Sequence, residues 1–135
     1  MLKKQKAFTM IELLVSATII ILLTAAGLVS FTQAGVSSRN AKRKADLETM
    51  RQALTLYKQD NAYYSESNSV NFPALVTSLY ADEYLSEPVI EDPKNNATYA
   101  YQASCTAINA SNNCIKVTLT ATLEPDAEAY DIIAF

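Results

Sequence analysis

Phe8-Thr9-Met10-Ile11-Glu12 opens a stretch, residues 8–38, in which Glu12 is followed by 26 residues without a charge. Its central part, Leu13 to Phe31, is apolar enough to span a bilayer. An α-helix rises about 1.5 Å per residue, so about 20 residues cross about 30 Å of hydrocarbon. Glu12 sits one step inside the apolar edge. A carboxylate there is costly unless a cation or a proton accompanies it, which marks Glu12 as a functional residue whose partner must be found.

On the N-terminal side, residues 1–7, MLKKQKA, form a short basic leader. The apolar run is longer than the core of a secretory signal and lacks an A-x-A cleavage pattern at its far end, so it is expected to stay with the protein. Lys3, Lys4 and Lys6 flank one side, and Arg39, Lys42, Arg43 and Lys44 flank the other. Basic residues alone therefore leave the orientation open. On the C-terminal side no proline occurs before Pro73, and Ala41 to Asp60 is rich in helix formers. Leu47, Met50, Leu54 and Tyr57, with Ala53 between them, trace one apolar face of an amphipathic helix. On its wet side the spacing predicts Lys44–Glu48 and Arg43–Asp46 pairs. If both halves are one helix, residues 8–60 extend about 80 Å. Gly27 and Gly35 are the only glycines. Each costs about 1 kcal/mol relative to alanine, so Thr24 to Gly27 is the expected place to bend.

The remainder reads as a small water-soluble body. Residues 61–72, NAYYSESNSVNF, hold turn formers and predict a loop. Pro73 can open a short helix to Tyr80, with Leu75, Val76 and Leu79 inward. Asp82 to Asn96, with Pro88 and Pro93, predicts an irregular connection. Three strands follow: Thr98 to Ser104; an alternation of Ile115, Val117, Leu119 and Leu123 with Lys116, Thr118, Thr120 and Thr122; and Tyr130 to Phe135. The fold class is α+β, a long N-terminal helix whose second half packs on a small antiparallel β-sheet. The divisions are a leader, 1–7; a hydrophobic helix, 8–35; and a head, 36–135.

Charge and composition remove several functions. The net charge of −3 divides into +3 for residues 1–7, −1 for Glu12, +3 for residues 39–60 and −8 for residues 61–135. An acidic head argues against nucleic-acid binding over its surface and suits an exported, soluble face. The chain has no histidine and two cysteines, which excludes a Ser-His-Asp or Cys-His site and a Cys/His zinc set. No glycine loop exists in the head to cradle phosphate. No enzyme activity and no cofactor are expected.

Lys6-Ala7-Phe8-Thr9-Met10-Ile11-Glu12-Leu13-Leu14-Val15 resembles the prepilin leader of the type IV pilin and pseudopilin family. The shared elements are a basic leader, a small residue, Phe, and Glu as the fifth residue after the cut, ahead of an apolar helix. The likeness is close over about 50 N-terminal residues and architectural beyond them. The Asp92-Pro93…Tyr99-x-Tyr101 stretch also looks like the pseudopilin side of the family. The resemblance implies cleavage between Ala7 and Phe8 by a prepilin peptidase, N-methylation of Phe8, and a Glu12 that guides assembly. It also implies an orientation with residues 1–7 inside and the head outside. This chain departs in having Ala7 where the family prefers glycine, and Val29 where many pilins have a kinking proline. Cleavage creates a free Phe8 amine, and a neighbouring subunit's amine is the natural partner for Glu12.

In an exported domain, Cys105 and Cys114 are expected to form a disulfide across the loop Thr106 to Asn113; two buried thiols are the alternative. Glu124, Asp126, Glu128 and Asp131 around Pro125, with Glu91 and Asp92, could hold calcium, although a solvated acidic loop explains them as well. They lack the frame of an EF-hand. Arg39, Lys42, Arg43 and Lys44 suit membrane phosphates, DNA, or a collar facing the acidic head of another subunit, the last being preferred. Asn96-Ala97-Thr98 and Asn109-Ala110-Ser111 match a glycosylation triplet that is short enough to arise by chance. The eight tyrosines suit packing or an adhesive surface.

The leading expectation is a type IV pilus subunit, a homo-oligomer in a helical filament serving adhesion, motility or DNA uptake. It would be a single-pass inner-membrane precursor handled by the prepilin peptidase/methyltransferase and the pilus assembly machinery. A pseudopilin of a type II secretion system, in a periplasmic filament, is the alternative. A membrane-anchored binding protein, with the apolar helix as a mere tether, is the outsider.

Overall fold

The computed structural model describes residues 8–65 and 70–134. The elements are α1 (Met10–Asn61), α2 (Phe72–Ala81), β1 (Gln102–Ile108), β2 (Cys114–Leu123) and β3 (Glu128–Ala134). The chain divides into two compact units, with the division between Ser37 and Ser38. The architecture is α+β, as the sequence predicts.

In the first unit α1 exposes apolar side chains on every side, including Ile11, Leu14, Ile19, Leu22, Leu28 and Phe31. This is the composition of a helix that can cross a membrane. Its hydroxyls turn inward on their own helix. Ser16, Thr18 and Thr24 donate to the carbonyls of Glu12, Val15 and Ile20 at 2.6, 2.8 and 2.7 Å. Back-bonding of this kind satisfies a hydroxyl where no water can. The helix runs unbroken through Thr24 to Gly27, so the expected bend is absent from this structure. Open space surrounds the place where a Gly27 Cβ would stand.

In the second unit α1 is amphipathic and supplies the core. Leu47, Met50, Ala53 and Leu54 are buried, with Tyr57 packed at the edge, which is the predicted stripe. The helix α2 lays Phe72, Leu75, Val76 and Leu79 on that core. Asn71 caps it, its side chain accepting from the Ala74 N–H at 2.9 Å, and Pro73 occupies the first turn, where a missing N–H costs nothing. The three strands form one antiparallel sheet in the order β1-β2-β3. Val117, Leu119 and Ala121 of the central strand face the core, flanked by Ala103 and Cys105 on β1 and by Tyr130, Ile132 and Ala134 on β3.

Two strand expectations shift. Residues 98–101 are not strand, because the Asn96 side chain accepts from the Thr98 and Tyr99 N–H groups at 3.0 and 2.9 Å and holds them in a turn. The register of β1 against β2 slips between Cys105 and Ile108, so Cys114 is buried where alternation pointed to Ile115.

Cys114 is a junction. It is disulfide-bonded to Cys105, and the hairpin tip between them contains Asn112 in the left-handed region. Its carbonyl accepts from the Tyr64 N–H at 2.7 Å and its own N–H donates to the Ser65 carbonyl at 2.8 Å, tying the chain after α1 to the sheet. Closing a loop this short contributes about 2–3 kcal/mol through the unfolded state. Replacing both cysteines by serine is expected to lower the urea-unfolding free energy of the head by that amount; no loss would show that the core alone sets the stability.

Candidate functional site

Two constellations stand out: the N-terminal turn of α1 in the first unit, and a buried charge cluster in the second. At the N-terminus Thr9 precedes the helix and caps it. Its Oγ1 accepts from the Glu12 N–H at 3.3 Å, and its hydroxyl points at Glu12 Oε2 at 3.5 Å. The Leu13 N–H closes the first turn on the Thr9 carbonyl at 3.3 Å. Thr-x-x-Glu is the spacing of a capping box, in which an acid three residues into the helix faces back over the unpaired N–H groups. The helix dipole is positive at this end and favours the carboxylate. Thr9 was thus a missed positioning residue, and the Thr9-x-x-Glu12 spacing carried its signal. Phe8 and Met10 are exposed beside it. Ala7 and the leader lie outside the described residues.

An exposed apolar helix that begins on a capped acid has a counterpart among known families. Residues 2–28 match the family model described as the prokaryotic N-terminal methylation motif. The chain carries a prepilin-type motif. The motif supports a protein of the type IV pilin or pseudopilin class, and the motif family is structural rather than enzymatic. The motif implies processing by a prepilin peptidase and entry into pilus assembly, and with the apolar helix it fits a membrane-anchored precursor. Comparison with curated proteins and with solved structures gives no match.

The second constellation is centred on Arg43, which is fully buried although it follows an uncharged run by only five residues. Its Nε and Nη2 donate to the two oxygens of Asp92 at 2.6 and 3.0 Å, and Nη1 lies 2.9 Å from Glu124 Oε1. Glu124 also takes Arg39 through two bonds, 2.8 and 2.6 Å, and Lys94 at 2.8 Å. Asn40 clamps the Glu124 backbone from both sides, its amide donating to the carbonyl at 2.8 Å and its oxygen accepting from the N–H at 3.0 Å. The Tyr99 ring lies beneath both Arg43 and Lys94. This prepilin-type chain therefore fastens the middle of α1 to the connection before β1 and to the end of β2.

Electrostatics follow the geometry. The Arg39 guanidinium, with Lys94 and Arg43, holds the Glu124 carboxyl far below the usual carboxylate range despite its burial. Burial alone pushes the Asp92 carboxyl up, but the Arg43 guanidinium and the Lys94 amide outweigh it and leave it lowered. Arg43 is raised in turn, chiefly by its bonds to Asp92. One turn along, the Tyr101 hydroxyl donates to Asp46 at 2.7 Å, and burial followed by that bond pushes its ionisation up.

These contacts correct three expectations. Arg43 does not pair with Asp46, nor Lys44 with Glu48; instead Lys42 pairs with Asp46 at 3.1 Å, Arg51 pairs with Glu48 at 2.5 Å, and Lys44 rests on the Tyr130 ring. The basic collar is largely consumed within its own subunit, since Arg39 and Arg43 are bound to Glu124 and Asp92. Of the calcium candidates, Glu124 is buried among cations, while Asp126 and Glu128 are exposed. No group of three or more acidic, histidine or cysteine side chains is placed to hold a metal ion among the described residues. Asn96 and Asn109 each use the side-chain oxygen to hold their own turns, which accounts for asparagine at both triplets. Tyrosines mostly pack, with Tyr57 edge-on to Tyr63 and Tyr84, and Tyr101 against Phe72.

Proposed function

We propose that the chain is a structural subunit of a type IV pilus, cut between Ala7 and Phe8, methylated on the Phe8 amine, and polymerised through the first half of α1. The observation that carries this reading is the contrast within one helix. Residues 47–54 of α1 bury one face in this chain's own core, while the apolar residues from Ile11 to Phe31 are exposed on all sides. Bilayer hydrocarbon covers such a surface before assembly, and other copies of the same helix cover it afterwards. The filament serves adhesion, motility or DNA uptake outside the cell. Its chemistry is extraction from the membrane and side-by-side packing, with Glu12 guiding the entry of each subunit.

Mass spectrometry of the mature N-terminus tests the reading. A chain beginning at methylated Phe8 is expected, and an intact Met1 on assembled protein would overturn it. A second reading, the pseudopilin of a type II secretion system, is favoured by the Asp92-Pro93…Tyr99-x-Tyr101 stretch. In this chain that stretch supplies the Asp92 partner of Arg43 and the ring beneath it. Electron microscopy separates the two, since only the first puts filaments on the cell surface.

A further inference from the structure

The cluster around Arg43 holds three cations, Arg39, Arg43 and Lys94, on two carboxylates, Asp92 and Glu124. Arg43, Asp92 and Glu124 are buried, so one uncompensated positive charge is left at the surface. It falls to Arg39 and Lys94, whose side chains are 34% and 37% exposed. Their nitrogens touch the same Glu124 oxygen, at 2.6 and 2.8 Å. They can therefore lie no farther apart than those two contacts laid end to end, within the span of one phosphate group. Arg39 uses Nε and Nη2 on Glu124, which leaves Nη1 directed elsewhere. The Lys94 ammonium is steadied by the Tyr99 ring, 4.6 Å from its centroid, and keeps further N–H donors.

We propose that Arg39 and Lys94 together bind the phosphate of an anionic lipid headgroup in the leaflet beside the head. A guanidinium and an ammonium held side by side match a phosphate's oxygens in charge and in geometry. Both are fixed before the ligand arrives, so little ordering remains to oppose binding. The place also fits, because Arg39 is the first charge after the apolar span that ends at Phe31, about 12 Å of helix beyond it. Headgroups begin where hydrocarbon ends, and helical side chains lean towards the helix N-terminus, here towards the bilayer end. The headgroup would steady the precursor at the membrane until extraction.

The test uses the full-length, unassembled chain in neutral detergent, with native mass spectrometry counting retained phosphatidylglycerol against phosphatidylcholine. Preferential retention of phosphatidylglycerol is expected, falling about fivefold in Lys94→Gln and in Arg39→Gln, the effect of one basic group near a lipid surface. Lys94→Arg should restore it, and Lys44→Gln should leave it unchanged. Near-UV circular dichroism of each variant confirms that the head remains folded. Equal retention of the two lipids, or no change in Lys94→Gln, would overturn the proposal. Displacement of the lipid by millimolar inorganic phosphate would reassign the site to the free ion. Because no filament is needed, the outcome does not depend on whether mature chains begin at methylated Phe8.

Discussion

Arg43→Leu is expected to destabilise the head by about 3–5 kcal/mol, the cost of stranding buried carboxylates without their cation. That is a large share of the about 5–15 kcal/mol that holds a domain folded. Near-UV tyrosine circular dichroism of the full chain during urea unfolding would measure it, since eight tyrosines and no tryptophan report on the core. By contrast, Lys42→Ala, which breaks a surface pair with a half-exposed lysine, should cost no more than about 1 kcal/mol. The two variants separate burial from mere pairing. A loss under about 1 kcal/mol for Arg43→Leu would mean that Arg39 and Lys94 hold both acids unaided.

Acid titration gives the same cluster a sign. The folded Asp92 and Glu124 carboxyls lie below their ordinary values, so the unfolded chain takes up protons first as pH falls. Their contribution is fully present at neutral pH and declines below about pH 5, through the ordinary carboxylate range and on towards the depressed folded values. In Arg43→Leu the Asp92 carboxyl keeps its burial and loses its guanidinium, which pushes it up rather than down. The stability gap between variant and parent should therefore narrow as pH falls from 7 to 4. A constant gap would argue that burial, not charge, governs the site.

Glu12→Leu is expected to leave membrane insertion intact and to remove the subunit from filaments. Leucine costs nothing in hydrocarbon, so the precursor should accumulate normally. The decision turns on magnitude. The capping contacts of Thr9 and Glu12 contribute about 1 kcal/mol, too little to abolish assembly. Losing a desolvated charge pair costs about 2–5 kcal/mol, and in a filament the loss repeats at every subunit. Glu12→Gln keeps much of the capping geometry without the charge, so it should fail like Glu12→Leu if a neighbour's Phe8 amine is the partner. Immunoblots of sheared filaments against cell-bound protein give the incorporated fraction. Parental incorporation of Glu12→Gln would reduce Glu12 to a helix cap.

Much of this was legible in the sequence for physical reasons that differ by region. The membrane-length run and the stripe of Leu47, Met50 and Leu54 are periodic, and periodicity survives folding. Thr9 was readable from local spacing alone. Arg43 was not, because helix-pair rules look three or four residues away and its partners lie 49 and 81 residues along the chain. A signal did exist. Arg43 continues the Leu47 stripe by one turn towards the N-terminus, which places it on the buried face, and a buried arginine demands acids. Strand β1 was displaced because an asparagine side chain captured backbone N–H groups that a strand would have used.

The junction at Cys114 bears on how the head withstands proteases. The tip residues Ala110, Ser111 and Asn112 are exposed, the sort of place where chains are nicked. A cut there would leave the two fragments joined through Cys105 and Cys114, and the main-chain bonds from Cys114 to Tyr64 and Ser65 untouched. The outermost turn of the hairpin is thus expendable to cleavage, and a clipped subunit keeps both strands in the sheet.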